Sequence, residues 1–333
     1  MTADAPDQRF RDRDIRFSNG VSGRNIEIPS ASPRNYHQVI CEPSSMPGLS
    51  VDGKLFIASG SSRKVPGPLV IIAPGSLGVA DSHLAHAESL LNAGISAFVL
   101  DSFGERSVTS TVADQTQFSF AASAYDVLAA WQHLAAMPEI DARRIGAQGH
   151  SRGGSAVLTA ANRRFADAVT GAGRGLCAVL AAYPWCGHQF LDAGVGGTRV
   201  HVLMGDADQW CSAMQAQAHV HAIRIAGGAA TMRLVGGAQH SFDRGTAVAD
   251  VAEARVSPGA PIAFLANDGA FIHPLGSDPD PDLVDRDLMV YALKAGYGKT
   301  GAKIGSNSPG EADLFREDML AFWRGTLDKA GAL

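Results

Sequence analysis

Six short, largely apolar runs punctuate the middle of the chain: Leu69–Ala73, Ile95–Leu100, Arg144–Gly149, Leu176–Ala182, Val200–Met204 and Thr231–Val235. The first of them, Leu69-Val70-Ile71-Ile72-Ala73, is apolar without a break, the pattern of a strand buried on both faces of a parallel sheet. Helical periodicity fills the gaps between runs. From Asp81 to Ala93, the residues Leu84, Ala87, Leu90 and Leu91 share one face, and Gly94 can end the helix. A second stripe is Phe120, Ala124, Val127, Leu128, Trp131 and Leu134, stopped by Pro138. A third, Ala-rich helix over 212–226 closes on Gly227-Gly228. Ser308-Pro309-Gly310-Glu311 reads as a capping box for a last helix over 311–328, whose apolar face is Leu314, Phe315, Met319, Phe322 and Trp323. Strand alternating with helix across 69–240 predicts a doubly wound, mostly parallel α/β sheet.

The flanks differ in character. Residues 1–66 are rich in Ser, Pro, Gly and Asn, with strand-like pieces at Tyr36–Cys41 and Lys54–Ala58, and read as an N-terminal β extension. Residues 245–310 are rich in Gly, Asp and Pro. Segments that long have a task or a structure of their own, so this one is expected to be a hairpin excursion, a lid or part of an oligomer contact. There is no internal repeat and no linker. Residues 1–333 are therefore expected to form one domain.

Composition narrows the function. With 46% hydrophobic residues among 333, the chain has enough apolar material for a sizeable core and is not a disordered one. Lys+Arg is 28 against Asp+Glu 33, a net charge of −5, and the run Arg9-Phe10-Arg11-Asp12-Arg13-Asp14 alternates in sign, so no basic stripe for nucleic acid is present. No run reaches the 18 or so apolar residues of a membrane span. The first 25 residues are polar, without the apolar centre of a signal peptide, as expected of a cytoplasmic protein and equally of a secreted one already trimmed. Four cysteines without CxxC spacing, and eleven histidines without HExxH, show no metal-site signature. His219 and His221, two apart on a helix, do not face each other.

The chemistry gathers at the ends of the runs. Gly149-His150-Ser151-Arg152-Gly153 fits G-x-S-x-G, between the run Arg144–Gly149 and the helix-like Ser155–Asn162. Strand–turn–helix is the setting of a nucleophile elbow: the turn demands small neighbours and lifts the serine hydroxyl above the sheet. Asp206 and Asp208 follow the run Val200–Met204, and His240 follows Thr231–Val235. An acid and then a histidine after the serine is the chain order of such hydrolases. All three positions lie beyond strand carboxyl ends, where open α/β sheets place ligands. Ser151 would attack a carbonyl, His240 would serve as base and then acid, and an aspartate would hold the imidazole. The oxyanion hole would come from the N–H of Arg152 and one N–H in Pro74-Gly75-Ser76-Leu77-Gly78, with Ser76 preferred over Gly75 and Leu77.

At these residues the chain resembles α/β-hydrolases of the dienelactone hydrolase family. The likeness covers roughly 68–245 and the last helix. It rests on Gly149-His150-Ser151-Arg152-Gly153-Gly154, the Gly205 to Asp208 turn and Gly237-Ala238-Gln239-His240-Ser241-Phe242. Asp101-Ser102-Phe103-Gly104 and Tyr183-Pro184-Trp185-Cys186 are also similar to segments of its larger members. The resemblance favours Asp208 over Asp206 as the acid. It implies cofactor-free hydrolysis of a small-molecule carboxylic ester or lactone through an acyl-enzyme. Dienelactone hydrolases proper use a cysteine nucleophile, and Ser151 stands there instead, so the expectation is a general carboxylic-ester hydrolase. Dehalogenase-like relatives with an aspartate nucleophile are disfavoured at the same position. An acyltransferase, thioesterase or peptidase with the same triad is the first alternative, and a non-catalytic ligand-binding hydrolase fold the second.

Residues beside the triad complete the expectation. Trp185 and Trp210 can wall a substrate pocket, Phe103 can line it, and Arg106 can meet a substrate carboxylate or else tie down its own loop. His150 abuts the nucleophile as a wall. Cys186 and Cys211 follow neighbouring strands, leaving open whether they form a bridge. Whether the chain forms a homo-oligomer is also open.

Overall fold

The structure is a computed structural model and describes residues 9–327. Residues 1–8 of the expected extension, and Asp328 at the end of the expected last helix, lie outside the described residues. The elements run β1 (Arg24–Ala31), α1 (Tyr36–Cys41), β2 (Gly48–Phe56), β3 (Gly67–Ala73), α2 (Asp81–Asn92), β4 (Ser96–Asp101) and α3 (Phe120–Ala135). Next come β5 (Ile140–His150), α4 (Arg152–Ala161), α5 (Arg163–Thr170), β6 (Ala178–Ala182), β7 (His188–Phe190), β8 (Arg199–Gly205), α6 (Ala213–Ile225) and β9 (Ala230–Val235). The chain ends with β10 (Ala249–Val256), β11 (Ala263–Leu265), β12 (Phe271–Ile272), β13 (Pro279–Asp280), α7 (Asp285–Lys294), β14 (Lys299–Ile304) and α8 (Pro309–Leu327).

The six apolar runs become β3, β4, β5, β6, β8 and β9. With β1 and β2 they form an eight-stranded sheet in the order β1-β2-β4-β3-β5-β6-β8-β9. Neighbours from β4 to β9 pair in parallel, while β1 and β2 add an antiparallel edge. Helices cover both faces, so Leu69, Val70, Ile71 and Ile72 are wholly buried. Burying each such side chain stabilises by about 1.5–3 kcal/mol. This is the doubly wound, mostly parallel sheet expected from the alternation of elements, and the α/β-hydrolase fold that the resemblance implies. No helix of the described residues is long and apolar enough to cross a membrane.

Two local expectations need correction. Tyr36–Cys41 is helix α1, not a strand: the Asn35 side chain accepts a hydrogen bond from the Gln38 N–H at 2.9 Å and so caps the helix. The Tyr36 ring then packs edge-on against Phe165, Phe190 and Phe271, which gives the short apolar run a partner other than a sheet. At the start of α8, Glu311 reaches back one residue further than a Ser308 capping box implies. Its carboxylate accepts from the Asn307 backbone N–H at 2.9 Å and from the Asn307 amide at 2.8 Å. Residues 245–310 have structure of their own. β10 pairs with β14, and β11, β12 and β13 extend β7 into a four-stranded sheet.

Arg106 takes the loop-tying role rather than the substrate one, and Phe103 does not line the pocket. The Arg106 guanidinium is buried and grips Asp126 of α3 with two nitrogens, at 2.7 and 3.1 Å. It also donates to the Ala31 and Ser102 carbonyls and to Ser32 Oγ. It ties β1 and the loop after β4 to α3, away from Ser151. Phe103 is buried in a small separate cluster with Phe118 and Ala122. Asp126→Asn would leave the guanidinium buried without a counter-charge, which typically costs 3–5 kcal/mol (about 4 here). The expected outcome is a urea midpoint lowered accordingly, with the denaturant slope unchanged.

Candidate active site

Glycine packing shapes the turn after β5. A Cβ on Gly149 would run into the Gly153 carbonyl, and one on Gly153 into the Ala73 carbonyl of β3. Only glycine lets strand, turn and helix α4 close this tightly. Ser151 is thereby held at φ 54°, a strained conformation for a residue with a side chain, and its N–H donates to the Ala182 carbonyl at 2.9 Å. Arg152 opens α4. Its N–H is one of the helix-terminal donors that have no intrahelical partner.

Three strand ends bring their side chains together. His240 Nε2 lies 3.0 Å from Ser151 Oγ, and His240 Nδ1 lies 2.7 Å from Asp208 Oδ2. An ionised carboxylate only accepts, so Nδ1–H donates to Asp208 and Nε2 is left to accept the serine proton. Asp208 is oriented in turn by the N–H groups of Trp210 and Cys211, at 2.7 and 2.9 Å on Oδ1. Asp206, the other candidate, accepts from the Gly237 N–H at 2.6 Å and braces the β9 loop. The imidazole is sandwiched. Trp210 stacks on it at 5.2 Å and 16°, and Tyr183 meets it edge-on at 4.8 Å.

The segment after His240 roofs this site. Trp210 Nε1 donates to the Lys303 carbonyl of β14 at 2.7 Å, and His240 itself bridges to Ile304. Two clefts open at Ser151. One, of about 440 Å³, is walled by Phe120, Trp185, Trp210 and Met289. The other, of about 380 Å³, runs past the Gly75–Gly78 loop to His83, His150 and Arg244. Ser76 lines both, on a turn closed by the Gly78 N–H on the Gly75 carbonyl at 3.0 Å.

Trp185, Trp210 and His150 are thus at the site as read from sequence, and Phe103 and Arg106 are not. Phe120 and Met289 were missed: Phe120 looks like one member of a helix stripe, and Met289 lies in a segment without a motif. Cys186 and Cys211 are free thiols, so no bridge pins the acid loop. Burial pushes the Cys186 and Cys211 thiols well up, so neither is a thiolate poised to react. The Arg152 side chain was also overlooked. It is buried between the rings of Phe118 and Phe120, at 4.4 and 4.1 Å, and it lines the apolar cleft. Burial lowers its pKa to about 10, still cationic at neutral pH.

Among the described residues, two sets of side chains have metal-ligating chemistry: Asp208, Cys211 and His240, and His86, His150 and Asp243. In each, a histidine and a carboxylate share a hydrogen bond, at 2.7 and 2.8 Å.

The sequence pattern of the dienelactone hydrolase family matches residues 55–257, well over half the chain and all three strand ends. The chain belongs to the dienelactone hydrolase family. It is accordingly a carboxylic-ester hydrolase. No curated protein matches the sequence. Among solved structures, it is similar to a dienelactone hydrolase-like promiscuous phosphotriesterase from metagenomic libraries, with 17% identity, 89% of this chain and 99% of that one covered, and a TM-score of 0.45. It is also similar to a dienelactone hydrolase from Anabaena variabilis (16% identity, 66% and 88% covered, TM-score 0.43). A third is a propionate-bound esterase from Thermogutta terrifontis (16% identity, 65% and 86% covered, TM-score 0.47). The family match, and not these likenesses, carries the assignment.

Proposed function

We propose that the protein is a serine-dependent member of its family that cleaves a small-molecule carboxylic ester or lactone through an acyl-enzyme. Ser151 attacks the carbonyl carbon while His240 Nε2 takes its proton. The tetrahedral oxyanion is received by the N–H groups of Arg152 and Ser76. His240 then returns the proton to the leaving alcohol oxygen, and water activated by the same nitrogen releases the acid. Asp208 fixes the tautomer and offsets the charge of the imidazolium. The apolar cleft at Trp185 and Trp210 suits one half of the ester, and the cleft at Arg244 the more polar half.

The observation that carries this reading is the pair of distances at His240, 3.0 Å to the serine oxygen and 2.7 Å to the carboxylate. With an activated aryl ester, the expected outcome is a burst of phenol stoichiometric with enzyme, followed by slower turnover. A strictly linear time course from the first turnover, with the chemical step resolved by stopped flow, would contradict accumulation of an acyl-enzyme.

A further inference from the structure

A second buried carboxylate lies behind the first. Asp243 follows His240 by three residues, and its side chain has no solvent exposure. Its Oδ2 is 2.8 Å from His86 Nε2 of α2, and its Oδ1 accepts from the Tyr183 hydroxyl at 2.7 Å. His150, the residue before the nucleophile, approaches the same Oδ2 at 3.9 Å. One side chain therefore touches α2, the end of β5, the segment after β6 and the histidine loop. Burial alone would push this carboxyl up. The hydrogen bond and charge of His86, the nearby His150 and the Tyr183 hydroxyl hold it well below the usual range, so it is ionised.

Backbone strain gathers around it. Among the described residues, four besides glycine have positive φ: Ser107, Ser151, Tyr183 and Ser241. Three of the four border Asp243. Tyr183 donates to it, Ser241 lies two residues before it, and Ser151 follows His150. Strained conformations of this kind persist only where the surroundings over-determine them. The strain here is local to the nucleophile, to the ring that walls His240 and to the histidine loop.

We propose that Asp243 is a positioning residue: through His86 and Tyr183 it holds the turns carrying Ser151 and His240 in register, so that turnover as well as folding depends on it. This rests on the triad reading above. Tyr183 is its direct arm. With its hydroxyl bound to Asp243, the ring stands against the imidazole at 4.8 Å, opposite the stacked Trp210. Phe315 of α8 closes the other side, against His86, His150 and Phe242.

The test separates rate from folding by counting active sites. Asp243→Asn, Tyr183→Phe and, as a control, Asp126→Asn are titrated to completion with a fluorophosphonate, and kcat is expressed per titrated site. Asp243→Asn is expected to lose about 10–100-fold in kcat per site with KM little changed, because a misplacement near 1 Å costs up to about 10²-fold. Tyr183→Phe is expected to lose several-fold in the same parameter. Asp126→Asn, remote from the site, is expected to lose sites while each remaining site turns over normally. An Asp243→Asn protein with wild-type kcat per site overturns the proposal. If that variant does not fold, a Tyr183→Phe protein with wild-type kcat per site overturns it instead. Full activity in Ser151→Ala would sink the triad reading itself, a different result from either.

Discussion

Ser151→Ala is expected to lower kcat toward activated esters by about 10⁶-fold, the scale seen when a triad nucleophile is removed. The size follows from the geometry. Among the described residues, Ser151 is the one hydroxyl hydrogen-bonded to His240 Nε2. Cys211 is the nearest candidate to substitute, since it lines the same cleft. Its thiol is pushed well up by burial and by Asp208, so it stays protonated and does not rescue the alanine variant. Binding survives, because the walls at Trp185, Trp210 and Phe120 are untouched. Ligand affinity measured with a non-hydrolysable ester analogue is expected to be near wild type while turnover vanishes.

The second large effect distinguishes the two aspartates. Asp208→Asn is expected to lower kcat by about 10⁴-fold, because an amide donates where the carboxylate accepted and turns the imidazole to the wrong tautomer. Oδ2 is the atom at stake, at 2.7 Å from His240 Nδ1. Oδ1 stays bound to the Trp210 and Cys211 N–H groups, so the loop keeps its shape. Asp206→Asn is the companion measurement. Its carboxylate braces the Gly237 N–H and does not touch the imidazole, so its kcat is expected to fall far less. Comparable losses in both variants would contradict the assignment of Asp208 as the acid.

The central sheet and the meeting of Ser151, Asp208 and His240 were legible because both depend on local pattern. Runs such as Leu69–Ala73 are buried on both faces, and that condition writes itself into consecutive residues. Gly149 and Gly153 are dictated by the close approach of backbone at the elbow, so they mark Ser151 in the sequence. What failed was everything that depends on where a loop lands. For Arg106 the sequence leaves a substrate carboxylate and a loop tie both open, because the partner that decides it, Asp126, is twenty residues away on the far side of a loop. Tyr36–Cys41 was a short apolar run, for which periodicity cannot separate helix from strand. The strands of 245–310 are mostly two or three residues long, too short to carry a period. Asp243 and His86 are 157 residues apart, and neither belongs to a motif that points to the other.

The most direct measurement of the central account is to trap the intermediate. The enzyme is mixed with an activated ester, quenched in acid during the burst, digested and mapped by mass. The account predicts the acyl group on the peptide containing Ser151, at a stoichiometry matching the burst and absent from Ser151→Ala. An acyl group found on Cys211 or on another residue, or a burst with no acylated peptide at all, would contradict it.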